Sequence, residues 1–458
     1  MDPREQALAL FRDVATTVPA YRDFLAARGI EPGTVTDLST LPLLTKANYT
    51  TSYPLPQLCR GGVLGDIIAV SSGSSGEPAF WPRSAADERA VAARFEQVFR
   101  DAFRAHERRT LAVVCFALGT WVGGLFTLAC VRELATRGFP ITAIAPGSDA
   151  TEILRVIPAL GPLYDQVVLL GYPPFLKGVV DRGRAEGVPW ERYDVKLVTA
   201  GEVFSEEWRS LVCERVGAAD PARSVASLYG TADAGVLGNE TPLSIELRRF
   251  FAGNPAAARE LFGESRLPTL VQYDPSQRWF EAVDGTLVFS GDSGVPLIRY
   301  HIADDGGVIP HDRMLEFVAA KGLTPTATAP ELPFVYVFGR SMFTVSYFGA
   351  NVFPENVSIG LEQPGVAGSV TGKFVMRVAE DEDRDSQLHI AVELAGGTTA
   401  SDDLADRIGA AILAQLLRLN SEFAHYVPPD RQRPVVELRP LGDPALFPPG
   451  VKHRYTRQ

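Results

Sequence analysis

The sequence predicts an α/β protein made of a large amino-terminal domain with several buried sheets and a small α+β carboxy-terminal domain. Two patterns and one bound predict it. Over residues 1–338, short β-rich runs alternate with amphipathic helical stretches, as in DIIAV, then AADERAVAARFEQVFRDAF, then LAVVCFAL. After Phe338 the texture becomes a compact order of strand, strand, helix and strand. The bound is compositional: 458 residues, 46% apolar and 22% charged, are enough for a large core and exclude both a disordered chain and a small stapled scaffold.

Each element follows from its local pattern. The start, MDPREQALALFRDVA, spaces apolar residues at helical intervals among charges and reads as an amphipathic helix. It lacks the basic start and apolar stretch of a signal peptide, so no export is expected. ITAIAP, DQVVLLG, VKLVTAG and SVASLYG read as further strands, each leading into a helical or loop segment. Residues 111–131 carry no charge over 21 positions, long enough to span a bilayer. Gly119, Gly123 and Gly124 divide this run into strand-like LAVVCFAL and helix-like WVGGLFTLACVREL, so a buried β-loop-α unit is expected and no membrane. In the small domain GKFVMRVAED and SQLHIAVEL read as strands, DDLADRIGAAILAQLLRLN as a helix and RPVVELRPL as a strand. The boundaries drawn are 1–338 for the large domain, 339–341 for a hinge and 342–458 for the small domain.

Charge and cysteine content narrow the function classes. Fifty-five acidic against 44 basic side chains give a net charge of −11 with no basic run, a field that repels a phosphate backbone and makes nucleic acid an unexpected partner. Cys59, Cys115, Cys130 and Cys213 are far apart and form no CxxC, which argues against a zinc knuckle or a disulfide framework and for a reducing cytoplasm. Lysine is scarce: only Lys46, Lys177, Lys196, Lys321, Lys373 and Lys452 occur, so a lysine in a chemical setting stands out.

Three motifs carry chemistry. Ser71-Ser72-Gly73-Ser74-Ser75-Gly76-Glu77-Pro78 follows the apolar strand IIAV and precedes a helical stretch. Its glycines, hydroxyls and successive N–H groups suit phosphate oxygens, although the same composition suits a flexible linker, and no GK[ST] follows to make a Walker A loop. Ser227-Leu228-Tyr229-Gly230-Thr231-Ala232-Asp233 is a strand running into a turn, with a flat ring for a base or aryl ligand and a carboxylate for Mg²⁺; ordinary sheet termination reads the same way. Pro296-Leu297-Ile298-Arg299-Tyr300-His301-Ile302-Ala303-Asp304-Asp305 is an apolar strand ending in adjacent carboxylates, placed to bind ribose hydroxyls or to solvate a turn.

In this order, with Gly339-Arg340-Ser341 and the carboxy-terminal Gly450-Val451-Lys452-His453-Arg454, the motifs resemble the adenylate-forming superfamily of acyl-CoA synthetases and adenylation domains, most nearly phenylacetate-CoA ligases. The resemblance covers nearly the whole chain and takes in Leu41-Pro42-Leu43-Leu44-Thr45-Lys46, Ala200-Gly201-Glu202-Val203 and Gly349-Ala350-Asn351-Val352-Phe353-Pro354. It implies a large ATP- and acid-binding domain and a small mobile domain. It also implies that Ser72, Ser74, Ser75 and Gly76 hold the β- and γ-phosphates of ATP, that Gly201, Glu202 and Tyr229 frame the adenine, and that Gly230 is a further ATP-binding residue. Thr231 would contact the α-phosphate, Asp233 would stand where the family has its Mg²⁺-binding glutamate, and Asp304 and Arg340 would bind the ribose. Lys452 would be the catalytic lysine brought in by the small domain, and Phe116, Trp121, Phe126, Gly201 and Gly235 would line the acid pocket, whose apolar and aromatic walls suit an aryl acid.

The expected activity is therefore ATP- and Mg²⁺-dependent conversion of a carboxylic acid, aryl in class, to its acyl-adenylate with pyrophosphate release, followed by transfer to CoA as co-substrate. This sequence departs from the family's pattern in several places. Ser74-Ser75 stand for Thr-Thr, Glu77 for a lysine, and His301-Ile302-Ala303-Asp304 for Arg-Thr-Gly-Asp. Met342 replaces a polar hinge residue, and Phe348 replaces a frequent basic residue before Gly349. The last two put CoA delivery in question and keep open a biosynthetic transfer to a carrier-protein thiol or a nitrogen nucleophile. A non-catalytic nucleotide- or aryl-binding relative is a further alternative, against which Asp304, Arg340 and Lys452 together argue.

Overall fold

The computed structural model describes residues 2–71, 79–263, 267–339, 344–447 and Thr456, without the side chains of Pro174 and Glu355. Two compact units divide the chain: Met1–Ser71, Phe80–Gly171 and Val179–Gly339 form the first, while Tyr172–Gly178 and Arg340–Gln458 belong to the second.

In the first unit the strands are β1 (Ile67–Ser71), β2 (Ala79–Arg83), β3 (Thr110–Val114), β4 (Ile141–Ile144), β5 (Gln166–Gly171), β6 (Val195–Ala200), β7 (Val225–Thr231), β8 (Gly235–Asn239), β9 (Thr269–Gln272), β10 (Arg278–Val283), β11 (Thr286–Gly291), β12 (Leu297–Ile309) and β13 (Phe334–Gly339). β1 and β2 pair as a small sheet, and the other eleven form one sheet in the order β10-β11-β12-β13-β9-β8-β7-β6-β5-β3-β4. From β4 to β7 the pairing is parallel, and from β7 to β10 it is antiparallel. Every residue of β3 and β5 is buried. This is why these strands read as continuous apolar runs: helices cover both faces of a parallel sheet. In the uncharged run, β3 leads to the helix Val122–Thr136, and no helix among the described residues is long and apolar enough to cross a membrane.

The third motif departs from its sequence reading. Asp304 and Asp305 do not end a strand, because β12 continues to Ile309. The pairing with β13 shifts register between Asp305 and Gly306, and that with β11 shifts between Thr286 and Val288 and again between Phe289 and Gly291. Arg299 and Ala303 take positive φ of 49° and 64°. Such irregularities let a strand re-aim side chains without terminating, so Asp304 is buried within the strand.

The second unit contains β14 (Val345–Tyr347), β15 (Ala350–Val352), β16 (Val370–Glu380), β17 (Ser386–Leu394) and β18 (Val435–Arg439). β16 and β17 are antiparallel and β17 and β18 are parallel, so a crossover must join the latter two; it contains the helix Asp402–Leu419, whose buried face carries Leu404, Ile408, Ile412 and Leu416. Phe348 and Gly349 turn β14 into β15 with φ of 52° and 83°, the two positive values that a tight two-residue hairpin takes. Thr456 forms an isolated parallel bridge with Met376 of β16.

Candidate active site

The site is built on the strand ends of the first unit. β6 and β7 run parallel with Ala200 opposite Leu228, so Gly201 and Glu202, which follow Ala200, emerge beside Tyr229. Gly201 has φ +87° and is exposed. β7 turns at Ala232-Asp233 into β8, pairing Thr231 with Gly235. A side chain at Gly230 would meet the carbonyl oxygen of Gly235 at 2.4 Å, so the tight return depends on that glycine. The Thr231 hydroxyl closes the turn by accepting the Ala234 N–H at 3.2 Å.

The tertiary structure joins the second and third motifs here. Tyr229 Oη donates to Asp304 Oδ2 at 2.7 Å, and both residues are buried. The motif at Leu41–Lys46 joins them too: the Leu44 N–H donates to the Arg299 carbonyl at 3.0 Å, and the His301 N–H returns to the Leu44 carbonyl at 2.8 Å. Arg299 ties the same segment from its side chain, donating to the carbonyls of Ser39 and Leu41 and to Glu281.

A buried charge cluster, which the sequence reading missed, holds the start of β7. Arg209 pairs with Glu206 and Glu240, and Arg248 pairs with Glu206. Arg209 donates to the Val225 carbonyl, and Glu240 accepts the Ser227 N–H at 2.8 Å. Burial pushes the Glu206 carboxyl up, but Arg209 and Arg248 outweigh it and hold the group below its ordinary value. Arg209 is shifted upward despite burial by Glu240 and Glu206. Glu240 directly follows β8 with no local pattern to mark it; only its spatial neighbours give it a role.

A narrow cleft of about 20 Å³, room for about one water, lies beside the turn. Its walls include Ile67, Ile68, Trp121, Leu125 and Phe126, together with Arg83 and Glu88. Trp121 and Phe126 thus share one cleft, and Gly235 lies 3.9 Å from Phe126 at its hypothetical Cβ. Phe116 is buried after β3 and is not among the lining residues. Arg83 ends β2 and donates through Nη2 to the carbonyls of Ala232 and Asp233 at 2.7 and 3.0 Å. Burial pulls the Arg83 guanidinium below its ordinary value, opposed by Asp87 and Asp233. Burial, with Asp66 and Asp87 nearby, pushes the Glu88 carboxyl up.

Ser72, Ser74, Ser75, Gly76, Glu77, Arg340, Met342 and Lys452 lie outside the described residues. Among the described residues no cluster of three or more His, Cys, Asp or Glu side chains could hold a metal ion by itself. The buried Asp233 carboxylate and the Thr231 hydroxyl are hard oxygen donors. That set fits a magnesium ion carried mainly by nucleotide phosphates and water, which needs only one or two protein carboxylates.

No protein-family model and no curated protein sequence matches the chain. Solved structures do. The crystal structure of 2-hydroxyisobutyryl-CoA ligase with 2-HIB-AMP and CoA in the thioesterification state matches at a TM-score of 0.67 and 15% identity, over 99% of this chain and 88% of that one. An open conformation of that ligase with 2-HIB-AMP and CoA matches at 0.56 and 14% identity, over 100% and 90%. Its postadenylation state with R3-HIB-AMP matches at 0.54 and 14%, over 100% and 87%. With the large mixed sheet and the strand-end site already described, the likeness establishes that this chain has the fold of an adenylate-forming acyl-CoA ligase.

Proposed function

We propose that the protein is an ATP-dependent ligase that converts a carboxylic acid, aryl in class, to its acyl-adenylate and then passes the acyl group to CoA. The observation that carries the reading is the 2.7 Å hydrogen bond between Tyr229 and Asp304, which brings two motifs distant in sequence to one strand-end site beside Thr231 and Asp233. The solved ligases of the same fold contain an acyl-AMP and CoA, which supports the same chemistry.

In this reading Gly201, Glu202 and Tyr229 frame the adenine, and Gly230 is a further ATP-binding residue. Asp304, oriented by Tyr229, holds the ribose with Arg340, and Ser72, Ser74, Ser75 and Gly76 take the β- and γ-phosphates. One oxygen of the acid's carboxylate attacks the α-phosphorus, the bond to the bridging oxygen breaks, and pyrophosphate leaves. Negative charge grows on the α-phosphate oxygens, where Thr231 and Lys452 are assigned to stabilise it. Magnesium, held by Asp233, would neutralise phosphate charge when bound. In the second half-reaction the CoA sulfur attacks the acyl carbon and AMP leaves. The small domain 342–458, swinging at 339–341, would supply Lys452 for the first step and withdraw it for the second.

The test is pyrophosphate release from MgATP over a panel of aryl and alkyl acids, each with and without CoA, beside Lys452→Ala. Acid-dependent release that falls about 10²-fold or more in Lys452→Ala, with thioester formed when CoA is added, is the expected result. ATP binding with no release for any acid would overturn the reading. A second reading changes only the acceptor, to a carrier-protein thiol or a nitrogen nucleophile. It is favoured by Phe348, which is buried against Tyr347 where the resemblance implies a basic residue. AMP release that depends on an added amine or carrier-protein thiol and not on CoA, with the amide or carrier thioester formed, would select it.

A further inference from the structure

The turn that carries Asp233 is held by a cation that neither the resemblance nor the fold assigns. Arg83 ends β2 and is 1% exposed. Each hydrogen bond its side chain makes to the described residues goes to that turn: Nη2 donates to the carbonyls of Ala232 at 2.7 Å and Asp233 at 3.0 Å, 149 and 150 residues away. The carboxylate of Asp87 is engaged elsewhere, since its Oδ2 accepts the N–H groups of Ser84 at 2.7 Å and Gly294 at 3.0 Å. The base of the arginine is fixed as well. Its carbonyl accepts the Asp66 N–H at 2.9 Å, a Cβ on Gly65 would lie 2.7 Å from that carbonyl oxygen, and a Cβ on Gly294 would lie 2.2 Å from the carbonyl oxygen of Pro82.

Burying a cation is costly, and a position that only fills the core is as well served by an apolar side chain of similar size. What the arginine supplies, and an apolar residue cannot, is a pair of charge-assisted bonds to consecutive carbonyls. Those two carbonyls belong to the peptide planes on either side of the Asp233 Cα. Each plane is rigid, so holding both fixes the backbone dihedrals of Asp233 and the direction in which its carboxylate leaves the turn. We propose, resting on the reading of Asp233 as the magnesium residue, that Arg83 is the positioning residue of that site. It acts through the Asp233 backbone and needs no contact with metal or nucleotide. Partners that orient a metal ligand in this way are worth about 10–100-fold in metal affinity.

The experiment titrates Mn²⁺, a probe of the same oxygen site, into the full chain with a non-hydrolysable ATP analogue and reads the protein-bound metal by electron paramagnetic resonance. Calorimetry measures binding of the analogue without metal. The proteins are wild type, Arg83→Met, Arg83→Lys, Asp233→Ala and the double variant Arg83→Met/Asp233→Ala. Arg83→Met should weaken Mn²⁺ binding about tenfold or more while binding of the metal-free analogue stays close to wild type. Arg83→Lys should restore part of the loss, because an ammonium still donates to the turn. In the double variant Arg83→Met should add nothing to Asp233→Ala, since no carboxylate is left to orient. Unchanged Mn²⁺ binding in a folded Arg83→Met, a full further loss in the double variant, or an equal loss of metal and metal-free analogue binding would each overturn the inference. If Arg83→Met fails to fold by its melting curve, Arg83→Gln, which keeps an amide donor, takes its place under the same criteria. Mn²⁺ binding lost in Asp233→Ala but not in the Arg83 variants sinks this inference and keeps the magnesium reading; binding unchanged in Asp233→Ala sinks the magnesium reading and this inference with it.

Discussion

The hydroxyl of Tyr229 donates a 2.7 Å hydrogen bond to the carboxylate of Asp304, 75 residues further along the chain and on a different strand. It joins the aromatic ring assigned to the adenine to the carboxylate assigned to the ribose, so each holds the other's orientation. Tyr229→Phe removes the bond and leaves the ring. A hydrogen bond to a charged acceptor contributes about 1.5 kcal/mol or more, so KM for ATP should rise roughly tenfold while kcat changes little. Asp304→Asn should raise KM further, because the ribose acceptor itself changes. Steady-state kinetics in ATP check both, and unchanged KM in both variants would remove Asp304 from the nucleotide site.

Glu206 makes a prediction about acid stability. Arg209 and Arg248 hold its carboxyl below the ordinary value, so the folded state binds the proton more weakly than the unfolded chain, whose carboxyl titrates near about 4.3. The stabilisation is fully present above that pH and is lost as the pH falls through the folded-state value. Glu206→Gln leaves two buried arginines short of a partner and should cost about 3–5 kcal/mol at pH 7. Melting curves of wild type and variant should therefore differ most at neutral pH and converge below about pH 4. A constant difference across that range would show that the charge of Glu206 is not the source.

In the β14–β15 turn, Gly349 answers two constraints that can be separated. Its φ is +83°, and a Cβ there would lie 2.1 Å from the Tyr172 ring. Gly365 has nearly the same φ, +87°, but open space around it. Gly365→Ala should lose only the conformational part, about 1 kcal/mol. Gly349→Ala should lose that plus a steric part of about 1–3 kcal/mol, and melting temperatures ordered the other way would rule out the ring contact as the cause.

The thiols should be silent in the folded protein. Cys59, Cys115, Cys130 and Cys213 are all buried and free. Burial raises each thiol, pushing Cys213 up to about 11 and Cys115 and Cys130 well above their ordinary value. Since the thiolate is the reactive form, a thiol reagent at pH 8 should label none in the native state and four after denaturation.

What was legible in the sequence was local. The buried strands announced themselves as apolar runs because helices cover both faces of a parallel sheet, and the amphipathic helix Asp402–Leu419 announced itself through spacing. The turn that follows Gly230 was visible in the sequence, and the close approach its return makes admits only glycine there; the hairpin turn at Gly349 was not read from the sequence. The end of β12 was misread, since Asp304 and Asp305 look like a terminus until register shifts carry the strand on to Ile309.

The sequence by itself determined which residue types could serve a nucleotide and an acid, because hydroxyls, glycines and carboxylates have fixed chemistry wherever they lie. Only the tertiary structure decided which of them meet. Tyr229 and Asp304, Arg209 and Glu240, and Arg83 and the carbonyls of Ala232 and Asp233 are separated by 31 to 150 residues, and no local pattern encodes such pairs. Their contacts follow from strand order and burial. Once water is excluded, each buried polar group must find a partner, and strand order decides which one lies within reach.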